Sequence, residues 1–253
     1  MTDSAESGSS TSSPRATGLV LGAPVDLVTM EGAMARIGEL IARGEPSQVV
    51  TADASGLVAA QTDSLLASIY RSAELVTADS IGVLWALGRG GHKLGERVSG
   101  VDLVDRICAA SADNGWRIFF LGSAPGVAET AAEKLRLKYP GCNIVGTRHG
   151  YFPAESDALV AEEVAAFQPD VLFVAMGIPR QEKFIAATKA IHRAKVSIGV
   201  GGSLDVFSGR AKRAPAIIQR LNLEWLWRTL LNPKKLPKAL TLPRFVWMVL
   251  TRR

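Results

Sequence analysis

Cysteine and histidine are scarce: the 253 residues hold two cysteines, Cys108 and Cys142, and three histidines. Two isolated cysteines exclude a disulfide framework and a cysteine-based zinc site, and read as buried thiols in a reducing compartment. His149 and His192 stand in no spacing that builds a metal site, no Asp-x-Asp occurs, and both read as solvated or loop histidines. No Ser-His-Asp or Cys-His nucleophile set can be assembled. No apolar run approaches the ~18 residues of a membrane span, and the polar N-terminus lacks the apolar segment of a signal peptide. A cytoplasmic location is therefore expected. Neither G-x-G-x-x-G nor G-x-x-x-x-G-K-[ST] is present, which argues against a dinucleotide dehydrogenase and a P-loop NTPase.

What is present is a chain 47% hydrophobic and 21% charged, ordinary for a globular protein and long enough for a substantial core. Its net charge of +5 is unevenly placed. From Lys212 to Arg253 ten Lys/Arg face one acid, a net of +9, so the remainder carries −4. A mildly acidic body with a basic tail points to an anionic partner for the tail. Residues 1–18 are Ser-, Thr-, Gly- and Ala-rich and read as a disordered leader.

From residue 19 to residue 211 strand and helix signals alternate. Short apolar runs at 19–28 (turning at Gly22-Ala23-Pro24), 48–53, 75–77, 117–121, 143–146, 170–176 and 195–200 read as strands. Helical spacing at 30–43, 55–71, 82–91, 127–138, 156–167 and 180–192 separates them, and residues 97–103 open a further helix. Repeated βα units predict an α/β domain, a Rossmann-like parallel sheet flanked by helices. The tail, 212–253, reads as helical from 214 to 231, is broken by Pro233, Pro237 and Pro243, and is apolar again from 245 to 250. It holds three of the five tryptophans, Trp225, Trp227 and Trp247.

The sharpest local signal is Val76-Thr77-Ala78-Asp79-Ser80-Ile81-Gly82, where a strand delivers a carboxylate to the sheet's C-terminal edge, the ligand edge of such folds. Thr51-Ala52-Asp53 ends the preceding strand in the same way. The turn Gly122-Ser123-Ala124-Pro125-Gly126 resembles a phosphate cradle or is simply a tight βα connection. Gly177-Ile178-Pro179-Arg180-Gln181 sets Gln181 in the first turn of a helix, facing the ligand edge or capping its own helix. Gly201-Gly202-Ser203-Leu204-Asp205 repeats the arrangement one strand later, with Asp205 able to bond ribose hydroxyls or a base N–H. Interleaved Trp and Arg in the tail suit a core helix with a basic face, nucleic acid, or, best, an anionic membrane interface.

Taken together, Thr51-Ala52-Asp53, Thr77-Ala78-Asp79-Ser80-Ile81-Gly82, Glu96-Arg97-Val98-Ser99-Gly100-Val101-Asp102, Gly150-Tyr151-Phe152, Gly177 to Glu182, Val200 to Gly209, Lys212-Arg213-Ala214-Pro215 and Leu223 to Arg228 resemble, in order, the WecG/TagA/CpsF glycosyltransferase family. The resemblance spans about 19–237. It implies a fold of the GT-E type, with a Rossmann-like catalytic domain (19–211) and a helical C-terminal membrane-binding appendage (212–253). It further implies an inverting, metal-independent transferase without a cofactor, peripheral on the inner face of the cell membrane. Such an enzyme moves a sugar from a UDP-sugar onto a polyprenyl-diphosphate-linked saccharide in cell-surface or exopolysaccharide synthesis.

By the same resemblance Asp79 is the catalytic base, and Arg97 is a second catalytic residue at a substrate-site position. Thr51, Asp53, Gly177, Gln181 and Asp205 belong to the substrate site, and Arg228, Lys235 and Lys238 reach the diphosphate from the appendage. The family usually has Asn where Asp53 stands, Gly where Ser80 stands and arginine at the tail lysines. Asp53 is thus a second carboxylate near Asp79 and its rival as base. Lysine neutralises a phosphate but does not grip it bidentately. The expected partners are the donor, the lipid-linked acceptor and the membrane surface, with self-association into a homo-oligomer as a second way to cover the apolar tail. Nucleic acid is not expected; the competing reading is a non-catalytic nucleotide-sugar or nucleic-acid binding module, which would leave Asp79, Arg97 and Gln181 without a role.

Overall fold

The computed structural model of the chain describes residues 15–211 and 241–251. A short antiparallel hairpin opens it, β1 (Thr17–Val20) and β2 (Ala23–Asp26), turning at Leu21-Gly22. Arg15 to Gly18, placed in the leader by their composition, belong to this hairpin. Arg15 pairs with the buried Asp26 at 2.5 Å, and Asp26 Oδ2 accepts the Val76 N–H at 2.6 Å. The hairpin is thereby fastened to the edge strand of the main sheet.

That sheet consists of β3 (Ser47–Ala52), β4 (Leu75–Ala78), β5 (Ile118–Gly122), β6 (Ile144–Arg148), β7 (Val171–Ala175) and β8 (Val196–Gly199). All pairs are parallel and the order is β4-β3-β8-β7-β5-β6. Every residue of β3, β4, β5, β7 and β8 is buried, as expected of strands covered on both faces. The two-residue period splits their side chains. Val49, Leu75, Phe120, Phe173 and Ile198 enter one core, with α1 (Met30–Arg43), α5 (Gly100–Asn114), α6 (Val127–Lys138) and the short α9 (Ser203–Phe207). Val50, Val76, Phe119, Leu121, Leu172 and Val174 enter the opposite face. That face is covered by α2 (Ala54–Ala59), α3 (Ser64–Ser72), α4 (Ile81–Arg89), α7 (Asp157–Ala165) and α8 (Arg180–His192).

Four readings change. His192, read as a solvated or loop histidine, is buried at the end of α8. The single helix expected over 55–71 is two: the first ends at Ala59 with Ala60 as its cap, and Asp63 starts the second, its carboxylate accepting the Leu66 N–H at 3.0 Å. Residues 203–207 form α9, a helix too short for a periodic signal. Pro243 does not break the chain but lies in the first turn of α10 (Thr241–Thr251), where a missing N–H costs nothing. Phe245 and Met248 of α10 are buried in the same cluster as Leu57, Val58, Val83 and Ala86 of α2 and α4. The Phe245 ring lies 3.4 Å from where a Cβ on Gly82 would stand.

Candidate active site

The C-terminal ends of the strands form one edge, and the candidate residues collect there. Ala52 pairs with Ala78 across β3 and β4, so Asp53 and Asp79 leave neighbouring strands side by side. The Asp79 N–H donates to the Ala52 carbonyl at 2.9 Å, extending the ladder by one residue and fixing the backbone from which its carboxylate projects. Ser80 then caps α4, and Asp79 stays half-buried at the mouth.

Arg97 arrives from a segment far along the chain. The Val98 N–H donates to the Ala78 carbonyl at 3.0 Å, and Thr77 Oγ1 donates back to the Val98 carbonyl at 3.0 Å. These bonds hold the extended segment before α5, which carries Arg97, at the end of β4. Its Nη2 lies 3.9 Å from Asp102 Oδ2, while that oxygen accepts the Ser99 hydroxyl at 2.5 Å.

Asp53, the rival carboxylate, is a helix cap. It accepts the Gly56 N–H at 2.8 Å and the Ser55 hydroxyl at 2.6 Å. Thr51 is buried and donates to the Gly199 carbonyl at 2.7 Å, tying β3 to β8. Gln181 lies at the ligand edge but only 1% exposed. Its Oε1 accepts the N–H groups of Gly177 (3.1 Å) and Gly201 (2.9 Å), and its Nε2 donates to Glu182 Oε1 at 2.8 Å. It therefore clamps the loops after β7 and β8 together. Gly177 has a φ of +79°, a conformation that favours glycine.

On the other side of the crevice the chain leaves β5 toward β6 and leaves β7 toward β8, in opposite directions. Such a switch point is where α/β sheets bind ligands. Gly122 there has a φ of +138°, and a Cβ on it would stand 2.4 Å from the Ala175 carbonyl oxygen, so only glycine lets the two strand ends approach. Ser123 donates through Oγ to Asp205 Oδ2 at 3.2 Å, linking this turn to α9. The turn leads into α6, whose N-terminus has no side-chain cap.

One residue escaped the sequence reading. Tyr70 on α3 is fully buried with its hydroxyl near Asp53, Glu182 and Asp79; burial, then these carboxylates, push its pKa well above the usual value. A glycine inside a helix, Gly56, was the available signal, since helix interiors disfavour it. Among the described residues no group of three or more His, Cys, Asp or Glu is placed to hold a metal ion. Nor is any described helix long and apolar enough to cross a membrane.

Residues 19–253 match the family model described as the glycosyl transferase WecG/TagA/CpsF family. The chain belongs to that family. Among relatives, an enzyme of Staphylococcus aureus strain MRSA252 is 33% identical over 232 residues, 91% of each chain. It is named an N-acetylglucosaminyldiphosphoundecaprenol N-acetyl-beta-D-mannosaminyltransferase. Proteins of the same name from Bacillus spizizenii and Bacillus subtilis are each 37% identical, over 183 and 182 residues, covering 72% of this chain and 70% of theirs.

Within this member of the WecG/TagA/CpsF family, Asp79 and Asp53 lie on neighbouring strand ends of the sheet edge, and the segment carrying Arg97 is bonded to the same edge through Val98. Gln181 and Asp205 hold the crevice loops in place through the bonds given above. Arg228, Lys235 and Lys238, expected to reach the diphosphate, lie outside the described residues.

Proposed function

We propose that the protein is an inverting glycosyltransferase that moves a sugar from a UDP-sugar onto a polyprenyl-diphosphate-linked saccharide, with Asp79 as the base. The observation that carries this reading is the position of Asp79. It is half-buried at the C-terminal end of β4, beside Arg97, in a chain matched to a glycosyltransferase family along nearly its whole length. The relatives named above act, by their names, on an N-acetylglucosaminyl-diphosphoundecaprenol. N-acetylmannosamine is therefore the first sugar to test and that lipid the first acceptor.

In the reaction an acceptor hydroxyl attacks the anomeric carbon while its proton passes to the Asp79 carboxylate, and the bond from that carbon to the diphosphate oxygen breaks. Asp53 has a structural role as the cap of α2, accepting the Ser55 and Gly56 bonds, and Asp79 is the first residue to test as the base. The departing UDP carries negative charge. The turn after β5 and the uncapped N-terminus of α6 offer N–H groups at the switch point, and Arg97 and the basic tail residues Arg228, Lys235 and Lys238 supply cations.

A peripheral seat on the membrane fits the surface beside the base. α4 starts two residues after Asp79 and exposes Ile81 and Trp85, and α10, packed against it, exposes Trp247 and Leu250. Arg89 sits 5.9 Å over the Trp85 ring, and Arg244 adds a cation on α10. Tryptophan and cations on one apolar surface suit the interface from which a polyprenyl acceptor would come.

Purified protein should release UDP from one member of a UDP-sugar panel only when a synthetic polyprenyl-diphosphate-linked N-acetylglucosamine is also present. Absence of release across the panel, with tight and salt-sensitive oligonucleotide binding instead, would overturn the reading in favour of a binding module.

A further inference from the structure

Residues 96, 97 and 98 are consecutive, and each is fastened to a different element. Glu96 Oε1 accepts the N–H of Met30, the first residue of α1, at 2.7 Å. Arg97 Nη2 lies 3.9 Å from Oδ2 of Asp102 in the first turn of α5. The Val98 N–H donates to the Ala78 carbonyl at the end of β4. The Glu96 bond joins positions 66 residues apart, so no local helix or turn accounts for it. A carboxylate on an N–H at a helix start makes a charge-assisted bond that the helix dipole strengthens. Yet α1 has its own cap, since Thr29 Oγ1 accepts the Gly32 N–H at 3.2 Å. What the Glu96 bond adds is a tie between α1 and the chain that carries Arg97.

The two sides of Arg97 differ in how firmly the chain is held. After it, Val98 and Ser99 are buried, and the Ser99 hydroxyl accepts the Asp102 N–H at 3.3 Å and donates to Asp102 Oδ2. Gly100 then seats α5 on the end of β8, where a Cβ would stand 3.2 Å from Val200 Cα. Before Arg97 the chain leaves α4 through Gly90, Gly91 and Gly95, all exposed, and glycine leaves a backbone wide freedom. Leu94 packs partly buried against the core of α2 and α4, and from Gly95 to Arg97 the fastening is the Glu96 carboxylate.

We propose that Glu96 is a positioning residue for Arg97: its carboxylate pins the glycine-rich entry segment to the N-terminus of α1 and so fixes the backbone from which the guanidinium projects. An arginine reaches an anion through a long stem with many rotamers, and a shifting backbone multiplies the positions its head can take. Charge stabilisation in a transfer step depends on a preorganised cation, so such spreading lowers the rate without removing the residue. Glu96 itself exchanges no atom with the substrates.

The catalytic consequence rests on the transferase reading, so one arm of the test needs no turnover. Glu96→Ala removes the tie, Glu96→Gln keeps an acceptor oxygen, and Thr29→Ala removes a bond from the same helix start without touching the Arg97 segment. Exchange of the Val98 amide hydrogen, followed by NMR, should be about tenfold faster in Glu96→Ala. It should stay near the wild-type rate in Glu96→Gln and Thr29→Ala. Unchanged exchange in Glu96→Ala overturns the proposal whatever the enzyme does. In the kinetic arm, kcat/KM should fall about tenfold in Glu96→Ala, recover in Glu96→Gln and stay near wild type in Thr29→Ala. In an Arg97→Ala background, Glu96→Ala should cause no further fall. Wild-type turnover by Glu96→Ala, an equal loss in Thr29→Ala, or a full further loss in the Arg97→Ala background would each overturn the proposal and leave Glu96 a helix contact. Failure of the wild-type enzyme to turn over any UDP-sugar removes the transferase reading instead, and the exchange rates still decide whether Glu96 holds the segment.

Discussion

Replacing Gly56 by alanine tests the close packing around Tyr70. In an ordinary helix the change stabilises by about 1 kcal/mol, because alanine loses less backbone freedom. Here the new Cβ meets Tyr70 Oη at 2.4 Å and Ile178 Cδ1 at 3.2 Å. The tyrosine ring is completely buried and has no solvent into which to retreat. Overpacking of this kind costs about 1–3 kcal/mol, so Gly56→Ala should lose its expected gain and destabilise the protein by a net of up to about 2 kcal/mol once propensity is counted. In a Tyr70→Phe background the contacted oxygen is gone, and the same substitution should be neutral or stabilising by up to about 1 kcal/mol. Urea unfolding of the four proteins gives the coupling directly. An equal cost of Gly56→Ala in both backgrounds would refute the contact.

Two further outcomes follow from the structure. His192 is buried, stacked on Phe184, with Nδ1 accepting the Ala194 N–H at 3.1 Å, and burial lowers its pKa to about 4. The unfolded chain therefore takes up a proton near pH 6.5 that the folded chain refuses. Its contribution is complete above about pH 6.5 and is lost as pH falls toward 4, by up to about 3 kcal/mol. Urea unfolding between pH 7.5 and 4.5 should show a shallower pH slope for His192→Asn than for wild type; equal slopes would contradict this. On the surface, Trp85→Ser with Trp247→Ser should weaken sedimentation with anionic liposomes several-fold. Unchanged sedimentation would remove the exposed patch on α4 and α10 from the membrane contact.

Much of this architecture was legible in the sequence because apolar strand runs are local signals. β3, β4, β5, β7 and β8 each occupy a stretch whose apolar character follows from burial on both faces. Asp79 was legible for the same reason, since a carboxylate immediately after such a run must fall on the C-terminal edge. What escaped depends on contacts between distant segments. Nothing near Gln181 tells that the N–H groups of Gly177 and Gly201 converge on its oxygen, 20 residues apart in one case. Nothing near Arg97 in the sequence tells that Val98 bonds Ala78 and brings this segment to the end of β4. The break between α2 and α3 was missed because it is marked by the Asp63 cap that starts α3, and not by the apolar period. Tyr70 looked like one more apolar helix position, and only the absent Cβ of Gly56 shows where its oxygen goes.

The role of Asp79 is the centre of the account. Asp79→Asn keeps the shape of the side chain and removes its capacity to accept a proton. Turnover of UDP-sugar with the lipid-linked acceptor should fall by about 10²–10⁴-fold, while UDP binding measured by calorimetry stays as in wild type. An Asp79→Asn enzyme that turns over at the wild-type rate would contradict the assignment of Asp79 as the base.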